Sequence, residues 1–176
     1  GGAFASRLWW LARWVGHAKV AVLDGGWPAW MAATDWSSTE PATREPGRFE
    51  IGPSLAPSVD AAEVLAMLGR SEKLVVDARA AERFEGRVEP LDPVAGHIPG
   101  TRNRPWQSNL DNGLFKSPEA LRREFDALLG GRPASDVTVL CGSGVTACHH
   151  LVAMAHAGLD GAVLYPGSWS EWVADP

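Results

Sequence analysis

Three short runs of apolar residues recur in the later part of the chain, at residues 73–77, 137–140 and 162–165. Each run has the length of a strand. Apolar and polar residues do not alternate within it, which is typical of a strand covered on both faces. Segments with helical periodicity separate the runs. Strands that alternate with helices predict an α/β fold, with a parallel sheet and helices on both of its faces.

The helical segments carry recognisable start and stop residues. Ser58 is placed to cap a helix that runs to Leu68. A serine followed by Pro118 opens a second helix, because proline is favoured at the first helical position, and Gly130 ends it. Residues 145–157 are predicted to form a third helix between the last two strands.

A pattern near the start of the chain returns near its end. In both copies a helix-like run ends at a glycine, a short apolar run follows as a predicted strand, and a Trp-x-x-Trp pair comes next. The alternative is a chance coincidence among glycines and tryptophans. An alignment without gaps pairs Gly2 with Gly144, Gly16 with Gly158, Gly25 with Gly167, Trp27 with Trp169, and Trp30 with Trp172.

The repeat predicts how the chain is divided. Residues 1–34 are interpreted as the C-terminal remnant of a first domain, the proline-containing residues 35–57 as a linker, and residues 58–176 as a complete second domain. Because Gly1 aligns with Ser143, the first copy lacks the strand and loop that open the second. We therefore expect exposed apolar surface there, completed by a missing N-terminal half or by a partner chain.

Composition narrows the class of partner. The 176 residues are 45% apolar and 21% charged, as in ordinary globular proteins, with a formal charge of −5. This acidic balance argues against nucleic acid or a membrane surface as partner, and no run approaches the roughly 20 apolar residues of a membrane span. Cys141 and Cys148 do not resemble a secreted disulfide framework, so we expect a cytoplasmic location.

The most informative segment directly follows the strand predicted at residues 137–140. Backbone N–H groups in a glycine-rich turn can converge on one atom, and the positive end of the following helix adds to their effect. Such a cradle favours a thiolate, which is the nucleophilic form of cysteine. The turn consists of Cys141 followed by Gly142, Ser143, Gly144, Val145 and Thr146.

Two chemistries use a cysteine loop of this kind. Phosphate and arsenate enzymes with a Cys-x5-Arg loop need an arginine six residues after the cysteine, where this chain has Ala147. Sulfur transfer, in which the cysteine carries an extra sulfur as a persulfide, needs only the N–H cradle and a polar or positively charged mouth. The loop therefore favours sulfur transfer.

Five further segments accompany the loop motif Cys-Gly-Ser-Gly-Val-Thr-Ala-Cys. They are Leu-Asp-Gly-Gly-Trp at 23–27, Val-Asp-Ala-Arg at 76–79, Glu-Arg-Phe at 82–84, Gly-His-Ile-Pro-Gly at 96–100 followed by Asn103, and Gly-Ser-Trp-Ser-Glu-Trp at 167–172. With these segments in this order, the chain resembles the two-domain rhodanese-type sulfurtransferases, and specifically the 3-mercaptopyruvate sulfurtransferases. The resemblance implies a catalytic rhodanese domain preceded by the tail of a non-catalytic one.

The resemblance also implies roles for individual residues. The persulfide-forming cysteine of the family falls on Cys141, and the loop serine that works with an aspartate and a histidine of the first domain falls on Ser143. The arginine that binds the donor's anionic group falls on Arg83. A second arginine of the mercaptopyruvate enzymes falls on Leu91, and this departure leaves thiosulfate open as donor. The rest of the substrate-binding cradle is Gly142, Gly144, Val145 and Thr146.

The implied reaction moves a sulfane sulfur from 3-mercaptopyruvate or thiosulfate to a thiol, cyanide or a thioredoxin-like acceptor, without a cofactor. No metal is expected, because the adjacent His149 and His150 match no zinc-site spacing. The alternatives are a non-catalytic rhodanese-like interaction module, and a fragment that is inactive without the missing first domain.

Four other residues are predicted to be structural. Asp77 and Arg79 are expected to form an ion pair near the end of a strand. His97 is expected to hold a turn by bonding to the backbone, and Cys148 to pack within a helix.

Overall fold

A four-stranded parallel sheet lies at the centre of the fold. A computed structural model of the protein describes residues 1–34 and 36–174, so Asp35 of the predicted linker and residues 175–176 of the predicted second domain lie outside the described part. The strands are β1 (Leu74–Asp77), β2 (Arg102–Asn103), β3 (Leu110–Asp111), β4 (Leu114–Phe115), β5 (Val137–Leu140) and β6 (Val163–Leu164). The sheet order is β2-β1-β5-β6, while β3 and β4 form a separate antiparallel hairpin.

All pairs in the central sheet are parallel, which confirms the predicted fold class. Asp77 of β1 is in register with Leu140 of β5. The residues that follow these two strands therefore emerge side by side at one edge of the sheet, where functional groups of open parallel sheets collect.

Seven α-helices and two short 3₁₀ turns, at Trp106–Asn109 and Ala134–Asp136, connect the strands of the described residues. The helices are α1 (Ala3–Trp14), α2 (Gly26–Ala33), α3 (Ala61–Met67), α4 (Ala81–Phe84), α5 (Pro118–Leu129), α6 (Ala147–His156) and α7 (Ser168–Trp172). Helix α5 confirms its predicted ends. The Ser117 hydroxyl accepts the Ala120 N–H at 3.3 Å, and Gly130 ends the helix with φ 58°.

The start of α3 corrects the prediction that Ser58 is its cap. Asp60 is the cap, because its carboxylate accepts the Glu63 N–H at 2.8 Å while the Glu63 carboxylate accepts the Asp60 N–H at 2.9 Å. This reciprocal capping box satisfies two backbone donors, whereas a lone serine satisfies one. Ser58 instead forms a parallel bridge with Leu164 of β6.

Alternating strand residues face two hydrophobic clusters on opposite sides of the sheet. Val76 and Val139 belong to the larger cluster, which α1, α5 and α6 cover and which contains the fully buried Phe125. Val75 and Leu140 face the smaller cluster under α3 and α7. Burial on both faces accounts for the uninterrupted apolar character of β1 and β5.

The N-terminal segment packs against the second half of the chain through α1, which lies along α6 with Trp10 buried between them. Gly16 and Gly158, after α1 and α6, have φ values of 87° and 71°, which confirms their prediction as helix-ending glycines. The strand predicted after the helix-ending glycine of the first copy, in the apolar run at residues 20–23, is wrong. A strand needs a hydrogen-bonded neighbour, and no described strand pairs with this segment.

Most of the exposed large apolar side chains of the described residues lie before residue 56. Phe4, Leu8 and Trp14 project from α1 with exposures of 83%, 66% and 48%, and Trp36 is 73% exposed. The exposed apolar surface expected for the first copy is therefore present. None of the helices in residues 1–34 and 36–174 is long and apolar enough to cross a membrane.

Candidate active site around Cys141

Cys141 lies at the carboxyl end of β5 and is 2% exposed. Its N–H donates to the Ser168 hydroxyl at 3.1 Å, and its carbonyl accepts the Trp169 N–H at 3.0 Å. Ser168 also donates to the Tyr165 carbonyl at 2.9 Å and has the left-handed φ of 57°, which is strained for a residue with a side chain. The segment after β6 thus holds the backbone of the cysteine in place.

The turn after Cys141 contains five consecutive backbone N–H groups that have no acceptor among the described residues. Within the described part of the chain, none of the N–H groups of residues 142–146 donates a hydrogen bond to another protein group. Gly142 and Gly144 are buried, Ser143 is exposed at the tip, and Val145 and Thr146 are half-buried. Free N–H groups of this kind can stabilise an anion beside the sulfur.

The periodicity predicts that helix α6 begins at residue 145, but the helix begins at Ala147. Residues 145 and 146 belong to the turn, and their carbonyls accept the N–H groups of Cys148 and His149 at 3.2 and 3.1 Å. The ten-residue helix directs its positive end towards the turn that contains the cysteine. Ala147, at the position of the Cys-x5-Arg arginine, is fully buried.

Gly144 is required by the geometry of the turn. Its φ is 72°, and a Cβ atom at this position would collide with the Pro166 carbonyl oxygen. The Gly144 carbonyl accepts a hydrogen bond from the Cys148 thiol at 3.2 Å and one from Arg7 Nη1 at 3.5 Å. The carbonyl and N–H of a trans peptide unit point in opposite directions, so these contacts also orient the N–H of Val145.

Arg83 lies over the turn. A Cβ atom on Gly142 would be 3.4 Å from its Nη1 atom and 3.5 Å from its Nη2 atom. Nη2 is 2.6 Å from Glu89 Oε1 and 3.4 Å from Asp92 Oδ2, and Nε is 3.3 Å from Glu89 Oε2. Nη1 has no acceptor among the described residues, so Arg83 presents one free amino group to the cysteine loop.

Glu89 holds Arg83 and Arg79 in place beside the cysteine loop, a role that the sequence pattern does not indicate. Its carboxylate is 3% exposed, pairs with Arg83 and Arg79, and accepts the N–H groups of Leu91 and Asp92 at 3.1 and 3.3 Å. Burial opposes ionisation, but the hydrogen bonds from Arg83 and the two N–H groups outweigh it and hold the pKa of Glu89 below its usual value. The only indication of this role in the sequence is that Glu89 lies within ten residues of both arginines.

Asp77 and Arg79 form the predicted structural pair. Arg79 Nη2 is 2.7 Å from Asp77 Oδ2 and donates to the Gly96 carbonyl at 2.7 Å, and its guanidinium lies 4.9 Å above the Trp169 ring. His97 holds a turn as predicted, since its Nδ1 is 2.7 Å from the Phe84 carbonyl oxygen and the two rings stack at 3.8 Å.

Three adjacent residues of α6 are buried below the turn. Burial raises the pKa of the Cys148 thiol to about 11, so it stays protonated and packs within the helix as predicted. Burial lowers the pKa of His149 to about 4 and that of His150 to about 3. Asn109 Nδ2 lies 2.9 Å from the Nδ1 atom of each histidine.

The other ring nitrogens of these histidines contact backbone. His149 Nε2 is 2.8 Å from the Gly1 carbonyl, and His150 Nε2 is 2.7 Å from the Arg104 carbonyl. Both rings are therefore neutral structural groups. Within the described residues, no group of three or more His, Cys, Asp or Glu side chains is placed to hold a metal ion.

Comparisons with known proteins match this arrangement. The family model described as "Rhodanese-like domain" matches residues 60–175. A relative from Pseudomonas aeruginosa with the name "Probable 3-mercaptopyruvate sulfurtransferase" is 48% identical over 99% of this chain and 62% of its own length. The "Thiosulfate sulfurtransferase" of Bos taurus is 36% identical over 97% of this chain and 61% of its own length. The chain thus spans about three-fifths of these relatives.

The same relationship is found among solved structures. A crystal structure from Escherichia coli, described as a 3-mercaptopyruvate sulfotransferase with the rhodanese fold, aligns with a TM-score of 0.77 and 35% identity. The alignment covers 97% of this chain and 64% of that chain.

Proposed function

The chain belongs to the family of rhodanese-like domains, and from this premise we propose that it transfers sulfane sulfur through a persulfide on Cys141. The donor is 3-mercaptopyruvate or thiosulfate, and the acceptor is a thiol, cyanide or a thioredoxin-like protein. The observation that carries the proposal is the turn at residues 142–146, beside a buried cysteine, whose N–H groups have no acceptor in the part of the chain that the structure describes. The name of the Pseudomonas aeruginosa relative supports 3-mercaptopyruvate as donor, and the name of the Bos taurus relative supports thiosulfate.

The proposed reaction consists of two displacements at sulfur. The Cys141 thiolate attacks the donor sulfur and forms a sulfur–sulfur bond. With 3-mercaptopyruvate the carbon–sulfur bond breaks, and pyruvate leaves as its enolate and takes up a proton. With thiosulfate the sulfur–sulfur bond breaks and sulfite leaves. An acceptor thiolate then attacks the outer sulfur of the persulfide and releases Cys141 as a thiolate, so no external oxidant is needed.

Each group of the site has a role in this proposal. The free N–H groups and the end of α6 stabilise the thiolate and the persulfide anion. Arg83 Nη1 binds the carboxylate or sulfonate end of the donor. Ser143, exposed at the tip of the turn, works with the aspartate and histidine that a first domain of the family supplies.

Intact-mass spectrometry after incubation with each donor separately tests the proposal. The wild-type chain should gain the mass of one sulfur atom, which a reductant removes. Cys148→Ser should gain it too, because a serine hydroxyl can keep the hydrogen bond to the Gly144 carbonyl, whereas Cys141→Ser should gain none. The proposal would be contradicted by folded wild-type protein that takes up no sulfur from either donor, and a non-catalytic interaction module would then be the better account.

A further inference from the structure

The charged groups around Arg83 do not form a positive site. Ion pairs of 2.6–3.4 Å join the two arginines of the cluster to its three carboxylates. With all five groups ionised, this cluster of described residues carries one more negative charge than positive charges. Its members are Arg79, Arg83, Asp77, Glu89 and Asp92.

Of the three carboxylates in this cluster, Asp92 is the most exposed and has the fewest hydrogen-bond partners among the described residues. The Asp77 and Glu89 side chains are 0% and 3% exposed, and each accepts several hydrogen bonds. The Asp92 side chain is 9% exposed, and its carboxylate has one partner among the described residues, Arg83 Nη2 at 3.4 Å. A donor anion bound at Arg83 therefore meets a carboxylate whose charge is only weakly compensated.

We propose that Asp92 selects sulfur donors by charge, and that it disfavours thiosulfate relative to 3-mercaptopyruvate. This inference rests on the proposed persulfide chemistry of Cys141. Thiosulfate carries two negative charges, whereas 3-mercaptopyruvate with its thiol protonated carries one. Because the cluster around Arg83 is negative in sum, the second charge of thiosulfate adds more repulsion than attraction.

The test compares the rates at which the two donors load sulfur onto the wild-type chain and onto Asp92→Asn, followed by intact mass at low donor concentration. Removing the charge of Asp92, which lies 3.4 Å from Arg83 Nη2, should speed loading by thiosulfate about three- to tenfold, and loading by the singly charged 3-mercaptopyruvate by about the square root of that factor, roughly two- to threefold. The readout is the ratio of the two rates, which a general loss of folding or positioning would leave unchanged.

The matched control is Asp160→Asn, which removes the same charge from an exposed residue before β6, at the opposite edge of the sheet. It should leave the ratio of the two rates unchanged. Asp92→Ser is a second variant, whose smaller side chain should shift the ratio in the same direction as asparagine does.

An unchanged ratio in both Asp92 variants, with sulfur still loaded by both donors, overturns the charge selection and leaves the proposed function intact. Absence of loading from both donors in the wild-type chain overturns both proposals, since selection requires loading.

Discussion

The two copies of the repeated pattern have similar sequences but form different structures. Residues 162–165 include β6, which pairs with β5, and Leu164 is fully buried. Residues 20–23 form no strand, and Leu23 is 54% exposed. The second copy lies beside the free edge of β5, whereas no described strand lies beside the first. A run of apolar residues therefore becomes a strand only where another strand satisfies its backbone groups.

The difference between the copies extends to the site. The segment after β6 provides Ser168, which bonds to the Cys141 N–H, and Pro166, which contacts Gly144. The segment after residue 23 forms α2, none of whose residues is buried. Pairing of the strand in the second copy thus brings its following turn against the cysteine loop.

The largest expected effect comes from a matched pair of glycines in the two copies. Gly144→Ala should lower the free energy of unfolding by about 3 kcal/mol or more, because its φ is positive and the new Cβ collides with Pro166. Gly2→Ala has a similar φ of 76°, but the nearest atom, Val22 Cγ1, is 3.9 Å away, so about 1 kcal/mol is expected. Chemical denaturation measures both, and equal losses would contradict the assigned contact.

Two buried histidines of α6, of which His149 also contacts the Gly1 carbonyl of the first copy, should make stability depend on pH. The unfolded chain protonates histidine near pH 6.5, whereas folded His149 and His150 resist protonation down to about pH 4 and 3. Their contribution is complete above pH 6.5. As the pH falls to about 4, each histidine should lower the free energy of unfolding by up to about 1.4 kcal/mol per pH unit.

Denaturation at several pH values measures this dependence. Burial is the main cause of both low pKa values, with Arg104 adding repulsion. His149→Gln should reduce the slope, and His156→Gln, an exposed position at the end of the same helix, should not. A slope that is the same in all three proteins would show that His149 does not resist protonation.

A smaller effect is expected from the contact between the cysteine and the segment after β6. Ser168→Ala removes the acceptor of the Cys141 N–H and should lower the free energy of unfolding by about 1–2 kcal/mol. It should also slow sulfur loading, because the cysteine backbone loses an anchor. Ser170→Ala, whose hydroxyl makes no hydrogen bond in the described part of the chain, should change stability by less than about 0.5 kcal/mol. Similar results for both variants would argue against the anchor.

Features with local signals could be predicted from the sequence. Helix α5 depends on Ser117, Pro118 and Gly130, which lie within or beside it. The cysteine turn depends on a strand, two glycines and a helix in succession. By contrast, Ser168 accepts a bond from a residue 27 positions away, and Glu89 pairs with two arginines that lie ten and six positions before it. Neither contact follows the periodicity of a helix or a strand, so the hydrophobic pattern predicts neither of them.

The sequence by itself determined the alternation of helices with the strands β1, β5 and β6, the place of Cys141 after a buried strand, and the glycines that end α1 and α6. These features depend on residues a few positions apart, whose backbone preferences act locally. Only the tertiary structure decided which copy of the repeat forms a strand and which carboxylates surround Arg83. The first outcome depends on strands that are distant in the chain and meet only when the sheet assembles. The second depends on how residues 85–92 fold back onto Arg83.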